Sequence, residues 1–316
     1  MTTKISSTAL TYADNSLGTT AKNLRYRDKA IFGYGGYSTT AYSMTNLVSN
    51  TGSISADTST VGTARYGLAA ASYGGDKAIF GYGINGAGNT YYSLTNLVSN
   101  IGVVATDTST TGTARFQLAA AGYGGDKAIF GFGAPNIGYS LLTNLVSNQG
   151  VVATDTSIVG TGRRSLAAAG YGGDKAIFGY GRGSDGAVTL TNLVSNVGVV
   201  ANDTTSVGTA RYGLAAAGYG GDKAMFAFGF DTSFSNKVNL ISNTGVVASD
   251  SYSYTIVKMY LAGSTYGGDK AIFAYGNNSI NVTTYSVLTS NTGVFATDTT
   301  ALGTARENLA AAGYGS

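Results

Sequence analysis

The sequence predicts an all-β, six-bladed β-propeller of four-stranded antiparallel blades, and three observations carry that prediction. The first is a period. Asp-Lys-Ala-Ile-Phe starts at Asp28, Asp76, Asp126, Asp174 and Asp269, and Asp-Lys-Ala-Met-Phe at Asp222, at spacings of 48, 50, 48, 48 and 47 residues. A fixed period in this range marks one supersecondary unit whose copies bury one another's faces. The second is that each copy holds four short apolar runs separated by turn signals, with no helical periodicity of useful length. The third is how the ends match. The first clear copy begins at a second strand, Lys29 to Tyr34, and the chain finishes on a first strand that lacks its second, Leu309 to Gly315. The last strand can therefore complete the first blade and close the ring, whereas an open solenoid would need polar caps at both ends.

The copy from Gly62 to Thr111 illustrates the elements. Leu68 to Tyr73 reads as the first strand, and Gly74-Gly75-Asp76 as a tight hairpin turn. Lys77 to Tyr82 reads as the second strand, followed by an irregular polar loop from Ile84 to Leu94. Thr95 to Ser99 is the third strand, Asn100-Ile101-Gly102 a turn, and Val103 to Thr106 the fourth strand. Asp107 to Arg115 then crosses to the next copy. Consecutive apolar residues such as Ala78-Ile79-Phe80 suit a sheet buried on both faces. A small residue follows every Phe of the second strand (Gly33, Gly81, Gly131, Gly179, Ala227, Ala274), as expected where sheets crowd toward an axis.

Composition narrows the chemistry. The chain has no Cys and no His, so thiolate nucleophiles, disulfides and the commonest general base and transition-metal ligand are excluded. Its few acids lie one per turn or crossover, which leaves no carboxylate pair for hydrolysis and no dense acidic loop for calcium. The expectation is a non-enzyme with no cofactor and no metal. The formal net charge of +3 resides in residues 1–27, where Lys4, Lys22, Arg25 and Arg27 outnumber Asp14. The remaining body is neutral, which argues against a nucleic-acid footprint. No stretch is long and apolar enough for a membrane helix, and residues 1–17 lack the apolar core of a Sec signal peptide. The domain reading is a lead or attachment segment, 1–27, and a propeller, 28–316.

Three groups of residues are candidate sites. Arg65, Arg115, Arg163, Arg211, Lys258 and Arg306 recur ahead of each first strand. An innermost first strand places them near one mouth of the central channel, as an anion site or as partners of the crossover acids Asp57, Asp107, Asp155, Asp203, Asp250 and Asp298. The loops between second and third strands vary most and carry Tyr37, Tyr42, Tyr91, Tyr92, Tyr139, Phe234 and Tyr285, the composition of an adaptable recognition surface or of tolerant loops. One crossover departs from the repeat: it loses its glycine to Thr255 and gains Tyr252, Tyr254, Met259 and Tyr260. That departure reads as a partner contact or as a local packing repair.

Two resemblances accompany these residues. A basic residue before the first strand (Arg65 before Leu68-Ala-Ala-Ala) and glycines closing the second (Phe80-Gly81-Tyr82-Gly83) resemble a kelch repeat over about residues 28–316. The double glycine and the fourth-strand Trp of that family are absent, so the likeness is one of layout. It implies that the second-to-third-strand loops and the crossovers share one face, which often binds partners. Separately, Ala9 to Ala21 is similar to a segment of bacteriophage tail and fibre proteins, with Ala13 and Asn15 in place of its Pro and Gly; it also reads as a worn copy of the fourth strand. The first resemblance and the second together imply a structural or adhesive virion protein, made without a Sec signal. Residues 1–27 would attach it to other assembly proteins, and the loop face would meet a host glycan or protein. A lectin-type or bacterial surface-binding propeller is the alternative, and a homo-oligomer is left open.

Overall fold

The computed structural model describes residues 27–59, 61–253 and 255–315. Six four-stranded antiparallel sheets form a closed propeller, and the described residues contain no helix. Blades are numbered here by the chain order of their second strands. Blade two is Ala69–Tyr73, Lys77–Gly81, Leu94–Val98 and Thr108–Ser109. Blade one takes its inner strand from the far end of the chain: Ala310–Tyr314 pairs with Lys29–Gly33, from Lys29 opposite Tyr314 to Gly33 opposite Ala310. Two small hairpins, Gly36–Tyr37 with Thr40–Ala41 and Arg182–Gly183 with Gly186–Ala187, decorate the second-to-third-strand loops.

The fourth strand lies later than the sequence suggested. Val104 makes only an isolated bridge to Val98, and the outer strand is the residue pair Thr108–Ser109. Asn96 Nδ2 donates to the Ala105 carbonyl and to Asp107 and ties this backbone to the third strand. The same displacement occurs in blade six, where Val287 stands in place of the Asn and Phe295 makes only an isolated bridge to Thr289.

Blades interlock through a ring and a gap. A Cβ on Gly131 would lie 2.7 Å from Cζ of Phe178 in the next blade, and one on Gly81 would lie 2.7 Å from Cζ of Phe130. Each second-strand Phe thus fills the space left by the small residue of the preceding blade. The small residue answers to the neighbouring Phe, not to general crowding at the axis. Beyond it, Tyr34, Tyr82, Phe132, Tyr180, Phe228 and Tyr275 hold left-handed backbone at φ 61–66° and are completely buried. Bulky residues rarely adopt this region, at a cost of about 1–3 kcal/mol each. The turn aims each ring into the seam between blades, where it meets the next blade's Phe edge-on, as Tyr82 meets Phe130 at 5.2 Å.

The six recurring cations occupy the same seams. Arg65 places its guanidinium 4.3 Å from the centroid of Tyr34 in blade one, donates through Nε to the Tyr82 carbonyl, and donates through Nη2 to Asn96. Its Nη1 lies 3.5 Å from Asp107, which also accepts from the Thr63 amide and hydroxyl. Arg306 closes the ring in the same way with Tyr275, Tyr34, Asn46 and Asp57. All six cations are fully buried. Buried in this way they do not line a channel mouth; each pairs with a crossover acid about forty residues further along the chain or, for Asp57, across the closure. Blade six varies the theme consistently. Val287 replaces the Asn, Lys258 replaces the Arg, and Nζ reaches Asp298 directly at 2.6 Å.

Two hydrogen-bonded rings tie the inner strands together. At the loop face, residues 67, 117, 165, 213, 260 and 308 each donate an amide to the preceding member's carbonyl at 2.6–2.8 Å, and Gly67 closes the circle onto Asn308. At the hairpin face, Gly74, Gly124, Gly172, Gly220, Gly267 and Gly315 each donate to the aspartate carbonyl of the next blade at 2.6–2.9 Å. Arg27 sits at that second ring, on the axis: its stem lies against Gly313, and its Nη2 donates to the Gly125 carbonyl of blade three. Burial pulls its pKa down to about 10, against the opposing pull of Asp76 and Asp126.

Three outcomes follow from this construction. Deleting Leu309 to Ser316 removes the inner strand of blade one; cooperative melting is expected to be lost, and an unchanged transition would refute the closed ring. Asn144→Val strands a buried guanidinium nitrogen of Arg115 and should cost about 3 kcal/mol. Adding Arg115→Lys should recover most of that loss by reproducing the pairing of blade six, a coupling that a double-mutant cycle of denaturant midpoints reads directly. The pH response has a definite sign. Desolvation raises Asp57, Asp107, Asp155, Asp203 and Asp250, but hydrogen bonds from Thr and Asn with the nearby Arg outweigh it, and all five lie below the usual carboxylate value. Their stabilisation is complete above pH about 4 and is lost as pH falls through the lowered values. Melting temperature should drop steeply below pH 4, and less steeply in Asp107→Asn.

Candidate functional site

Once the buried charges are assigned to the seams, the loop face holds the side chains that the repeat does not explain. The innermost positions there are the six members of the closed amide ring. All have left-handed backbone, φ 52–66°, including the non-glycine residues Gln117, Ser165, Tyr260 and Asn308. With the leucines that follow each of them, they line an axial depression of about 70 Å³. The residue just before each ring member is different in nearly every blade: Tyr66, Phe116, Arg164, Tyr212, Met259 and Glu307. Each is fixed by an isolated bridge to the second-to-third-strand loop of its own blade, at Ile84, Ala134, Arg182, Phe230, Asn277 and Gly36. The bridges bring loop and rim together, so the mouth is a shallow dish of unlike side chains on a uniform frame.

Part of the dish is aromatic. Tyr91 meets Phe116 edge-on at 5.6 Å, Tyr212 meets Phe230 at 5.6 Å, and Phe234 meets Phe230 at 5.6 Å. The guanidinium of Arg164 lies 5.9 Å from Phe116 and 5.7 Å from Tyr139, and that of Arg182 lies 5.4 Å from Tyr212. Tyr260 packs over Gly213 and hydrogen-bonds to Ser165, two blades away, so its ring reaches across the rim. Burial raises its phenol, Tyr212 and Glu307 add to the rise, and Arg164 opposes it. Burial also raises Glu307, the chain's one glutamate, against a lowering hydrogen bond with Asn277.

The sequence candidates divide accordingly. Tyr91, Tyr139, Phe234 and Tyr260 come together at the loop-face dish. Tyr42 and Tyr92 occupy equivalent positions whose amides donate to Gly35 and Gly83, and their phenols stand near the buried Arg306 and Arg65. They support the seams. Tyr285 opens the third strand of blade six opposite Thr300, half-buried. Tyr37 is 49% exposed on a small hairpin of the same face, and Tyr252 is 53% exposed on the outer strand of blade five, at the periphery and away from Tyr260. Tyr254 and residues 1–26 lie outside the described residues. The irregular crossover is therefore two things: Tyr252 at the rim of the disc and Tyr260 at its axis.

Apart from Met259, which the irregular crossover already singles out, the rim residues Tyr66, Phe116, Arg164, Tyr212 and Glu307 were not among the sequence candidates, because each directly follows a repeated cation and reads as part of the repeat. The signal was their disagreement from copy to copy. A cleft of about 340 Å³ lies on the other face along blade one, lined by Lys29, Leu47, Val48 and Tyr314 among others. Most of its lining recurs in the other blades, so it is a groove of the repeat and not a distinctive site. Among the described residues no group of acids is arranged to hold a metal ion. No protein-family model matches the chain, and no curated protein matches it.

Proposed function

We propose that this chain is a non-enzymatic structural or adhesive protein of a bacteriophage virion (tail, fibre or capsid-associated), in which the propeller is the contact module. The observation that carries the reading is the inequality of the two faces. The hairpin face repeats Asp-Lys six times and receives Arg27, the first described residue of the basic lead, at its axis. The loop face, at the other end of the same inner strands, is where the copies differ. A chain fastened through residues 1–27 would leave that face free for a host glycan or protein. The virion assignment draws on the likeness of Ala9 to Ala21 to phage tail and fibre segments, and on the absence of His and Cys. We read the repeat as kelch-like by its layout.

A lectin-type or bacterial surface-binding propeller is the second reading, favoured by the aromatic rim around Phe116 and Tyr212. The two readings share a recognition face and differ in where the protein resides. In a cell- or virion-binding assay with purified protein, Tyr91→Ala combined with Tyr139→Ala and Phe234→Ala should abolish binding without moving the melting temperature. Lys127→Gln and Lys175→Gln on the hairpin face should leave it intact. Equal losses from both sets would defeat the assignment of the loop face. Mass spectrometry of purified particles separates the readings: absence of the chain from virions favours the lectin.

A further inference from the structure

The loop face contains one feature that neither packing nor the repeat requires. Arg164 and Arg182 are directly bridged partners: the Arg164 amide donates to the Arg182 carbonyl at 3.0 Å, and the Arg182 amide to the Arg164 carbonyl at 2.8 Å. Opposed residues of such a pair project on the same side, so the two arginines rise from adjacent backbone; the Arg164 guanidinium leans toward the rings of blade three and that of Arg182 toward Tyr212 of blade five. The other bridges of this type join Tyr66 to Ile84, Phe116 to Ala134, Tyr212 to Phe230, Met259 to Asn277 and Glu307 to Gly36. Only blade four places two cations there. No carboxylate among the described residues forms an ion pair with either arginine, although Asp185 lies in the turn of the same small hairpin. This contrasts with the six seam cations, all of which have a partner acid.

The two side chains are also held in place. Arg164 lies between Phe116 and Tyr139, and Arg182 lies by Tyr212. Packing against rings lowers the entropy lost when a planar fork engages an anion, and the guanidinium edges remain available to bind it. Within the dish, Gln117, Ser165, Tyr260 and Asn308 add neutral hydrogen-bonding groups around the axial depression.

We propose that Arg164 and Arg182 form an anion subsite of the loop face that takes the carboxylate of an acidic saccharide, while the amide and hydroxyl side chains of the rim take its hydroxyls. Each guanidinium fork suits a carboxylate bidentately. A neutral body with one local pair of cations does not suit a polyanion tracking many phosphates. The mixed donors beside the pair match a ligand that carries hydroxyls as well as charge. The assignment rests on the loop face being the recognition surface.

The test is a panel of immobilised oligosaccharides carrying glucuronate, galacturonate or sialate, each beside its methyl ester and a neutral counterpart. At least one carboxylated member should bind, about tenfold or more tightly than its ester. Its binding should weaken with added salt. Arg164→Met with Arg182→Met should erase the preference, while Arg164→Lys and Arg182→Lys retain part of it. The melting temperature should stay unchanged. If no carboxylated member binds, if esterification makes no difference, or if an oligoglutamate peptide binds equally well, the saccharide-carboxylate assignment is overturned. Neutral-glycan or cell binding that survives the double Met variant but is lost with Tyr91→Ala, Tyr139→Ala and Phe234→Ala would overturn this subsite alone. Absence of any loop-face binding would remove the recognition reading as well.

Discussion

The structure depends on a buried cation in each seam between blades. Removing a guanidinium from water costs several kcal/mol unless its donors and charge are answered. Here the answers come from both sides of the seam. The ring of the preceding blade offers its face, and the cation's own blade offers a crossover Asp, joined in five seams by a third-strand Asn and in four by a strand-end carbonyl. None of these groups is correctly placed unless both blades are folded and docked. The strained aromatic residue at the end of the second strand belongs to the same unit, since its left-handed turn supplies both the carbonyl to the cation of its own blade and the ring face to the next. The cation thus converts six weak sheets into one cooperative ring. Blade six shows that the requirement is electrostatic and not specific to arginine: when Val287 removes the amide, the shorter Lys258 reaches Asp298 itself.

Ring closure uses the same parts. The first and last strands of blade one are separated by nearly the whole chain, yet Ala310–Tyr314 pairs with Lys29–Gly33 in the register of every other inner pair. The seam beside it repeats the cation unit with Arg306, Asn46 and Asp57. Both amide rings pass through the closure without interruption, at Gly67 with Asn308 and at Gly315 with Asp76. A propeller closed in this way has no free inner-strand edge, which is the element most prone to pairing with another chain.

Much of this was legible in the sequence, because period, turn residues and strand-forming runs are local. The six blades, the four strands in each and the closing strand all follow from recurrences such as Asp76-Lys77 after Gly74-Gly75 and from the strand left over at Leu309. What was not legible depends on contacts between copies. Arg65 lies eight residues after Asp57 in the sequence but pairs with Asp107, and Asp57 pairs with Arg306. The fourth strand was displaced onto pairs such as Thr108–Ser109, past the apolar run Val103-Val104 that read as the strand. Tyr42 and Tyr92 looked like loop aromatics because nothing local says that their phenols stand near buried arginines. The site was half visible. Variable aromatic loops pointed to the correct face, but the rim next to the axis was hidden beside the most regular residue of the repeat.

A sixfold ring has a consequence for recognition. Identical blades would present six equivalent positions around the axis, and a small ligand would have no preferred orientation among them. Specificity on such a frame has to come from broken symmetry at the mouth. In this chain the break is polar. Arg164 belongs to blade four, and Glu307 leads into the closing strand of blade one, three blades away, so the two charges face each other across the depression. Tyr66 and Phe116 lie along one flank between them, with Tyr212 and Met259 along the other. Tyr260 senses both charges, which pull its phenol in opposite directions. The closed amide ring beneath keeps these side chains at fixed angles, because each is attached to backbone that is hydrogen-bonded to its neighbours on both sides. The regularity of the repeat is therefore what gives the irregular residues a defined geometry: the seams hold the ring rigid, and the rim is free to vary without cost to the fold.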